Sequence, residues 1–438
     1  MATNRKDVER ILQHVQEKMD TIIKFLQDMV RIPSETHPPS GDEGPVQEFI
    51  VKKLSAMKLD VDVFEPWDIP GIENHPGWWP GLDYHNRPNV VASYHGVGEG
   101  RSLILNGHAD VVPAGPPELW QHDPYGGEID QGKLYGRGSV DMKCGIAAMI
   151  MALDCLFEEG FKPLGDVCIQ SVVNEEMGGY NGTLACCVKG YQADAAIITE
   201  PTNFHVSPAT KGGQTYKAII PGRSAHVGAW WLGVSALEKA MRVKEALHSW
   251  EELRSEETRN NPYFNDPLLH PKSAWSDMVW YLKAGDPNIM ASPDEAEMHF
   301  WVDVLPGDDR EEVLSRFERY VSNAVSLDPY LRNNPPKLER AIMRPFAGVG
   351  IDLDHPIIPT INRATEIVLG TVPSVSGINS ACDAMIFNLY SNTPAVVYGC
   401  GDLSLAHSPD EYVEVEDVVH MVKALALTIM DFCGYTTR

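Results

Sequence analysis

The chain has 438 residues, 43% of them hydrophobic and 22% charged, a globular composition too long for one ordinary core, so two domains are expected. With 36 basic against 61 acidic residues the formal charge is −25, which argues against nucleic acid or an anionic membrane as partner, since both need a positive footprint. No stretch approaches the ~18 consecutive apolar residues of a membrane-spanning helix. The polar start MATNRKDVER lacks the apolar segment of a secretory signal, so a cytoplasmic location is expected. The eight cysteines are scattered without a CxxC pair, which fits a reducing compartment, and the adjacent Cys186 and Cys187 are poorly placed to share one ion.

Taken in chain order, apolar residues from Val8 to Val30 recur with helical period, and a second helix is predicted over 43–58. The stretch 66–88 is too rich in Trp, Pro, Gly and His for regular structure. NVVASYHG and SLILNGH then read as strands, CGIAAMIMALDCLFEE as an apolar helix, DVCIQSVVN as a strand, TLACCVKG as a short helix and AAIITE as a strand. This alternation predicts an α/β layer around a mostly parallel sheet. The middle differs: TYKAIIPGRSAH, MVWYLKAG and EAEMHFWVDVLPG read as strands, with helices over GVSALEKAMRVKEALHSWEELR and DREEVLSRFERYVSNAV. That order makes residues 208–332 an α+β module of their own, and the strand–helix pattern resumes after 354 with HPIIPTINRATEIVLG and TPAVVYGC. The catalytic domain is therefore expected to be discontinuous, 1–207 and 333–438, with the module inserted.

The chemistry concentrates in short segments that follow apolar runs: His108 and Asp110, Asp141, Glu175 and Glu176, Glu200, and His407. Oxygen and imidazole donors without thiolate suit zinc, manganese or cobalt. Two such ions about 3.5–4 Å apart activate a water for hydrolysis. Taken singly, His108 and His407 read as loop histidines, Glu175–Glu176 as a solvated acidic pair, and Asp141 as a cap for the following helix. The ordered set supports the metal reading instead. The pairs Trp78–Trp79 and Trp230–Trp231 fit either a substrate wall or buried structural aromatics.

The motifs GHADVVP (107–113), YGRGSVDMKCG (135–145), NEEMGG (174–179), TEPT (199–202), GRSAH (222–226) and AHSPDE (406–411) resemble those of the M20 metallopeptidases and amidohydrolases. The resemblance spans nearly the whole chain, and YGRGSVDMKCG leans toward the deacetylase and formylaminopyrimidine-deformylase branch. It implies a dinuclear-metal hydrolase, with one ion on His108, Asp141 and Glu200 and the other on Asp141, Glu176 and His407. Zn2+ is the expected metal, with Co2+ or Mn2+ as alternatives. Asp141 would bridge the ions, with a cis peptide after it, and Asp110 would accept the other ring N–H of His108. Glu175 would be the general base that takes a proton from water and passes it to the leaving amine. His226 would reach across a homodimer interface from the inserted lid module to help hold the oxyanion.

The pattern departs at WVDVLPGDD, where Asp303 stands at the position of a family arginine that binds a substrate carboxylate. Asn288 and Arg344 remain as candidate substrate-binding residues. The expected activity is removal of an acyl group from a small N-acylated amine or amino acid. A dipeptidase or carboxypeptidase is the alternative, and a non-catalytic binding relative the rival of another class.

Overall fold

The computed structural model describes residues 4–177, 179, 181–340 and 346–437. The chain divides into two compact units, one of Met1–Ala209 with Gly350–Arg438 and the other of Thr210–Val349.

The first unit is built on six strands, in the order Ala395–Val397, Ala195–Ile198, Leu103–His108, Val167–Val172, Asn89–Tyr94 and Asp60–Phe64. The first four run parallel, and each of the last two is antiparallel to the strand before it. The expected mostly parallel α/β sheet is therefore present. Strands buried on both faces need apolar side chains at successive positions, which is why Leu103–Ile104–Leu105 and Ala195–Ala196–Ile197–Ile198 read as unbroken apolar runs. Alternate residues serve opposite faces. Ala92, Leu105, Ile169 and Ile197 join a core with residues of the helices Arg5–Glu17, Met19–Val30, Cys144–Glu158, Ile357–Leu369 and Val415–Cys433. Val91 and Val172 pack on the other side with Ala185 and Cys186 of Asn181–Lys189. The helix Cys144–Glu158 is buried without a break from Cys144 to Leu153, as its all-round apolar sequence requires.

The long N-terminal periodicity resolves into two helices, Arg5–Glu17 and Met19–Val30. They part at Lys18, whose amide donates to both His14 and Val15 carbonyls, the tightened geometry of a helix end. The breaker-rich stretch forms two short 3-10 turns, Pro66–Asp68 and Ile72–Asn74. Its end is fixed by Arg87, which donates from Nε and Nη2 to the two oxygens of Glu43 at 2.6 Å each, with both residues buried. The strand Asp60–Phe64 and the helices Asp383–Tyr390 and Val415–Cys433 are elements that the periodicity leaves unassigned.

The second unit is a four-stranded antiparallel sheet, ordered Val279–Ala284, Glu295–Val304, Gly212–Pro221, Lys337–Arg340. Tyr216, Ala218, Ile220, Met298, Phe300 and Val302 point to one face, where the helices Ala236–Thr258 and Arg310–Val325 cover them. The last strand lies beyond residue 332 because Lys337–Arg340 pairs with Tyr216–Ile219.

Candidate metal centre

Parallel strands present their carboxyl ends at one edge of a sheet, where open α/β folds collect ligands. Here His108 is the last residue of the strand Leu103–His108, and Glu200 follows Ala195–Ile198 by two residues. Glu175 and Glu176 follow Val167–Val172, after Asn174 turns the chain at φ 68°. His407 lies ten residues past Ala395–Val397, at φ 59°. Four neighbouring parallel strands thus each lead into one segment of the site. Asp141 comes from the turn before the helix Cys144–Glu158, and its peptide to Met142 is cis.

The distances define two groups that share one residue. His108 Nε2 lies 3.1 Å from Asp141 Oδ1 and 3.5 Å from Glu200 Oε1. His407 Nε2 lies 3.3 Å from Asp141 Oδ2 and 2.9 Å from Glu176 Oε2. The two carboxylate oxygens of Asp141 therefore face different histidines. Within His108, Asp141 and Glu200, and again within Asp141, Glu176 and His407, one donor atom per residue falls within 4.8 Å of the others. One ion bonded at about 2.0–2.2 Å to imidazole and carboxylate closes such a gap with little movement.

Among the described residues two other groups have this spacing, His14–Cys155–Glu158 and His248–Glu251–Asp277. Both already hold a cation. Lys18 pairs with Glu158, while Lys244 and Lys272 pair with Asp277 and Glu251.

Electrostatics favours a cation at the first two groups. His108, Asp110, Asp141, Glu175 and Glu200 are buried, and no lysine or arginine is paired with Asp141, Glu175, Glu176 or Glu200 among the described ion pairs. Burial, and then the charge of Asp141, push Glu176 up to about 7. Burial likewise pushes Glu200 up to about 7, with Asp141 adding to it against the pull of His108. Glu175 is raised well above the ordinary carboxylate range by burial first and Glu200 next. Hydrogen bonds to Asp141 and Glu176 hold His407 up at about 10. Dications would relieve this repulsion, and the oxygen and imidazole donors fit them without thiolate.

The role expected of Asp110 needs a correction. His108 Nδ1 lies 2.8 Å from the backbone carbonyl of Asp110, while the Asp110 carboxylate is 3.7 Å away. The ring is therefore oriented by the main chain. The carboxylate instead accepts the amide N–H groups of Glu175 and Glu176, one on each oxygen, at 3.0 Å. It holds the turn that presents both glutamates.

Sequence reasoning passed over two further buried groups. Asp383 accepts from Thr183 Oγ1 at 2.8 Å, and its charge acts on both Glu175 and Glu200. Glu411 and Arg137 form a buried ion pair beside the Asp141 turn. Both of the latter sit inside quoted motifs, which was the available signal.

The remaining candidates belong to the second unit, apart from Arg344, which lies outside the described residues. His226 is exposed, and its Nδ1 accepts the N–H of Gly228 at 3.1 Å, which leaves the proton of a neutral ring on Nε2. Asn288 is exposed in a turn, its Nδ2 donating to Asp286 at 3.0 Å. Trp230 and Trp231 are exposed rather than buried. Asp303 is buried, 3.3 Å from Lys211 Nζ, and accepts from Trp275 N and Trp301 Nε1 at 2.7 and 2.6 Å. Its carboxylate is thus occupied inside the unit.

Known proteins match this architecture and sequence. The chain is 27% identical over 450 residues to the N-formyl-4-amino-5-aminomethyl-2-methylpyrimidine deformylase of Halalkalibacterium halodurans, covering 97% of each chain. It is 28% identical to a Staphylococcus aureus protein named "Probable succinyl-diaminopimelate desuccinylase", covering 81% of this chain and 86% of the other. Among solved structures it resembles a di-peptidase from Saccharomyces cerevisiae, with TM-score 0.72 at 16% identity over 97% of this chain and 98% of the other. It also resembles the Bacillus subtilis YXEP protein, described as a dinuclear metal binding peptidase, with TM-score 0.59 at 14% identity over 95% and 99%. At those identities the structural likeness carries the fold alone. The Peptidase family M20/M25/M40 pattern matches residues 104–431, which takes in all of the candidate ligands and both units. The chain belongs to peptidase family M20/M25/M40, and it is a hydrolase.

Proposed function

We propose that this hydrolase uses two divalent ions to remove a small acyl group from an N-acylated amine. The observation that carries the reading is the placement of Asp141, whose two oxygens face His108 and His407 separately at 3.1 and 3.3 Å. One carboxylate between two cations offsets their repulsion. The ions would be held by His108, Asp141 and Glu200 and by Asp141, Glu176 and His407. When bound, they would polarise the scissile carbonyl and make water a better nucleophile. The donor set favours zinc, with cobalt or manganese as the alternatives.

In this reading Glu175 takes the proton of the attacking water and delivers it to the leaving nitrogen. Its backbone is held by Asp110, so the carboxyl is supported without being consumed as a ligand. His226, with its proton on Nε2, donates to the developing oxyanion from a partner copy in a homodimer formed through the second unit. Deacylation is favoured over peptide cleavage for two reasons. A relative matched over 97% of both chains is named a deformylase. Asp303 also stands, locked to Lys211, where a carboxylate-binding arginine is expected. Among the described residues no helix is long and apolar enough to cross a membrane. In this reading the enzyme acts on a small molecule in the cytoplasm.

The test is a substrate panel of N-formyl, N-acetyl and N-succinyl amines beside dipeptides, each with zinc, manganese or cobalt. Turnover confined to the N-acyl amines is expected. Faster cleavage of dipeptides would replace the reading with a metallo-dipeptidase or carboxypeptidase. No ion-dependent hydrolysis at all would leave a binding relative.

A further inference from the structure

The segment that carries Asp141 and the segment that carries His407 are far apart in sequence yet joined just outside the site. Tyr412–Glu414 pairs antiparallel with Lys133–Tyr135, so the two segments run alongside each other just after His407 in one and just ahead of Asp141 in the other. Gly136 N donates to the Glu411 carbonyl at 2.9 Å, extending the pairing. Beyond that point the bond is made by side chains. Glu411 Oε1 accepts the amide N–H groups of Val140 and Asp141 at 3.0 and 3.2 Å, and its Oε2 accepts from Arg137 Nη1. Arg137 and Glu411 are both buried, and the guanidinium also lies 5.3 Å from the Trp120 ring. Neither residue is a candidate ligand.

A buried charge pair whose carboxylate grips two consecutive amides does more than fill space. The grip falls on the amide of Asp141 itself, whose φ and ψ of −121° and 97° lie outside any helical region. In that conformation its two oxygens lie toward the two histidines. Glu411 is also four residues from His407 on the same segment, so one carboxylate ties the segment of the most exposed candidate ligand to the backbone of the shared one.

We propose that Glu411, held by Arg137, is a positioning residue that sets Asp141 between its two ligand groups and keeps His407 in register with it. The inference rests on the two-ion reading above. Outer groups of this kind typically change metal affinity by about 10–100-fold when removed. Asp141 serves both groups, so both are affected, and the group of Asp141, Glu176 and His407 most, because it draws two of its three members from this join.

The experiment titrates ion-free protein with Co2+ against a competing chelator, following cobalt absorption, for wild type, Glu411→Asp and the double variant Arg137→Gln with Glu411→Gln. Circular dichroism of the ion-free forms reports the fold. Glu411→Asp keeps the charge but shortens the arm, and the double variant removes both charges together. Folded variants that bind both ions more weakly, the more weakly held ion by about 10–100-fold, are the expected result. Folded variants that bind both ions with wild-type affinity overturn the inference. Loss of the ion-free fold in both variants also overturns it, because the pair then belongs to the scaffold. Wild type that binds no cobalt would instead defeat the two-ion reading itself.

Discussion

The two candidate ligand groups are unequal. His108, Asp141 and Glu200 are buried, and two of the three stand at or just past the ends of neighbouring sheet strands. In the other group His407 has a side chain 53% exposed, on a loop at positive φ, against 1% for His108. Two of the three members of the first group are placed by the sheet. The second is completed by a loop whose position depends on contacts outside the site. Preorganised ligands lose less freedom on binding, so the first group is expected to hold its ion more tightly and the second to exchange it more readily.

Breaking the comparison altogether takes Asp141→Ala. It removes the residue common to both groups, and loss of both ions with no measurable turnover is expected by elemental analysis and assay. Retention of one ion at full affinity would show that the carboxylate is not shared.

Next comes a control that should leave the inequality untouched. Glu175→Gln is expected to retain both ions while turnover falls about 10²–10⁴-fold, the usual weight of a general acid–base group. Near-normal turnover would remove Glu175 from the mechanism.

The inequality itself is sharpened by comparing His108→Ala with His407→Ala in a chelator titration. The first variant should lose the tighter ion and the second the weaker one. Identical profiles would mean that burial and strand position do not rank the groups.

A smaller effect follows from protonation. Glu176 and Glu200, raised from 4.5 to about 7, hold protons in the ion-free protein that the unfolded chain has already released. The folded form therefore binds more protons across that window, and its stability falls as pH rises from 4.5 towards 7. Ions displace those protons. Zinc should raise the melting temperature more at pH about 8 than at pH about 5.5. An equal rise at both would contradict the assigned ligands.

The second unit enters last. His226→Ala is expected to slow turnover without loss of ions, and mixing it with Glu175→Ala should recover some activity in mixed dimers. Absence of recovery would count against a contribution from the partner copy.

What the chain order alone determined was substantial. Strands buried on both faces must be apolar throughout, so runs such as SLILNGH and AAIITE disclosed a parallel sheet, and the acidic or histidine residues just past them marked its ligand-bearing edge. The switch to alternating strands near residue 212 reflected a sheet with one covered face. Tertiary structure decided the rest, because hydrogen-bond partners distant in sequence leave no local trace. It moved the Asp110 carboxylate from His108 to the amides of Glu175 and Glu176, split the two oxygens of Asp141 between histidines 299 residues apart in the chain, and joined Arg137 to Glu411. It also occupied Asp303 with Lys211. Such pairings are chosen by burial, which makes an unpaired charge too costly to keep, and burial exists only once the chain has folded.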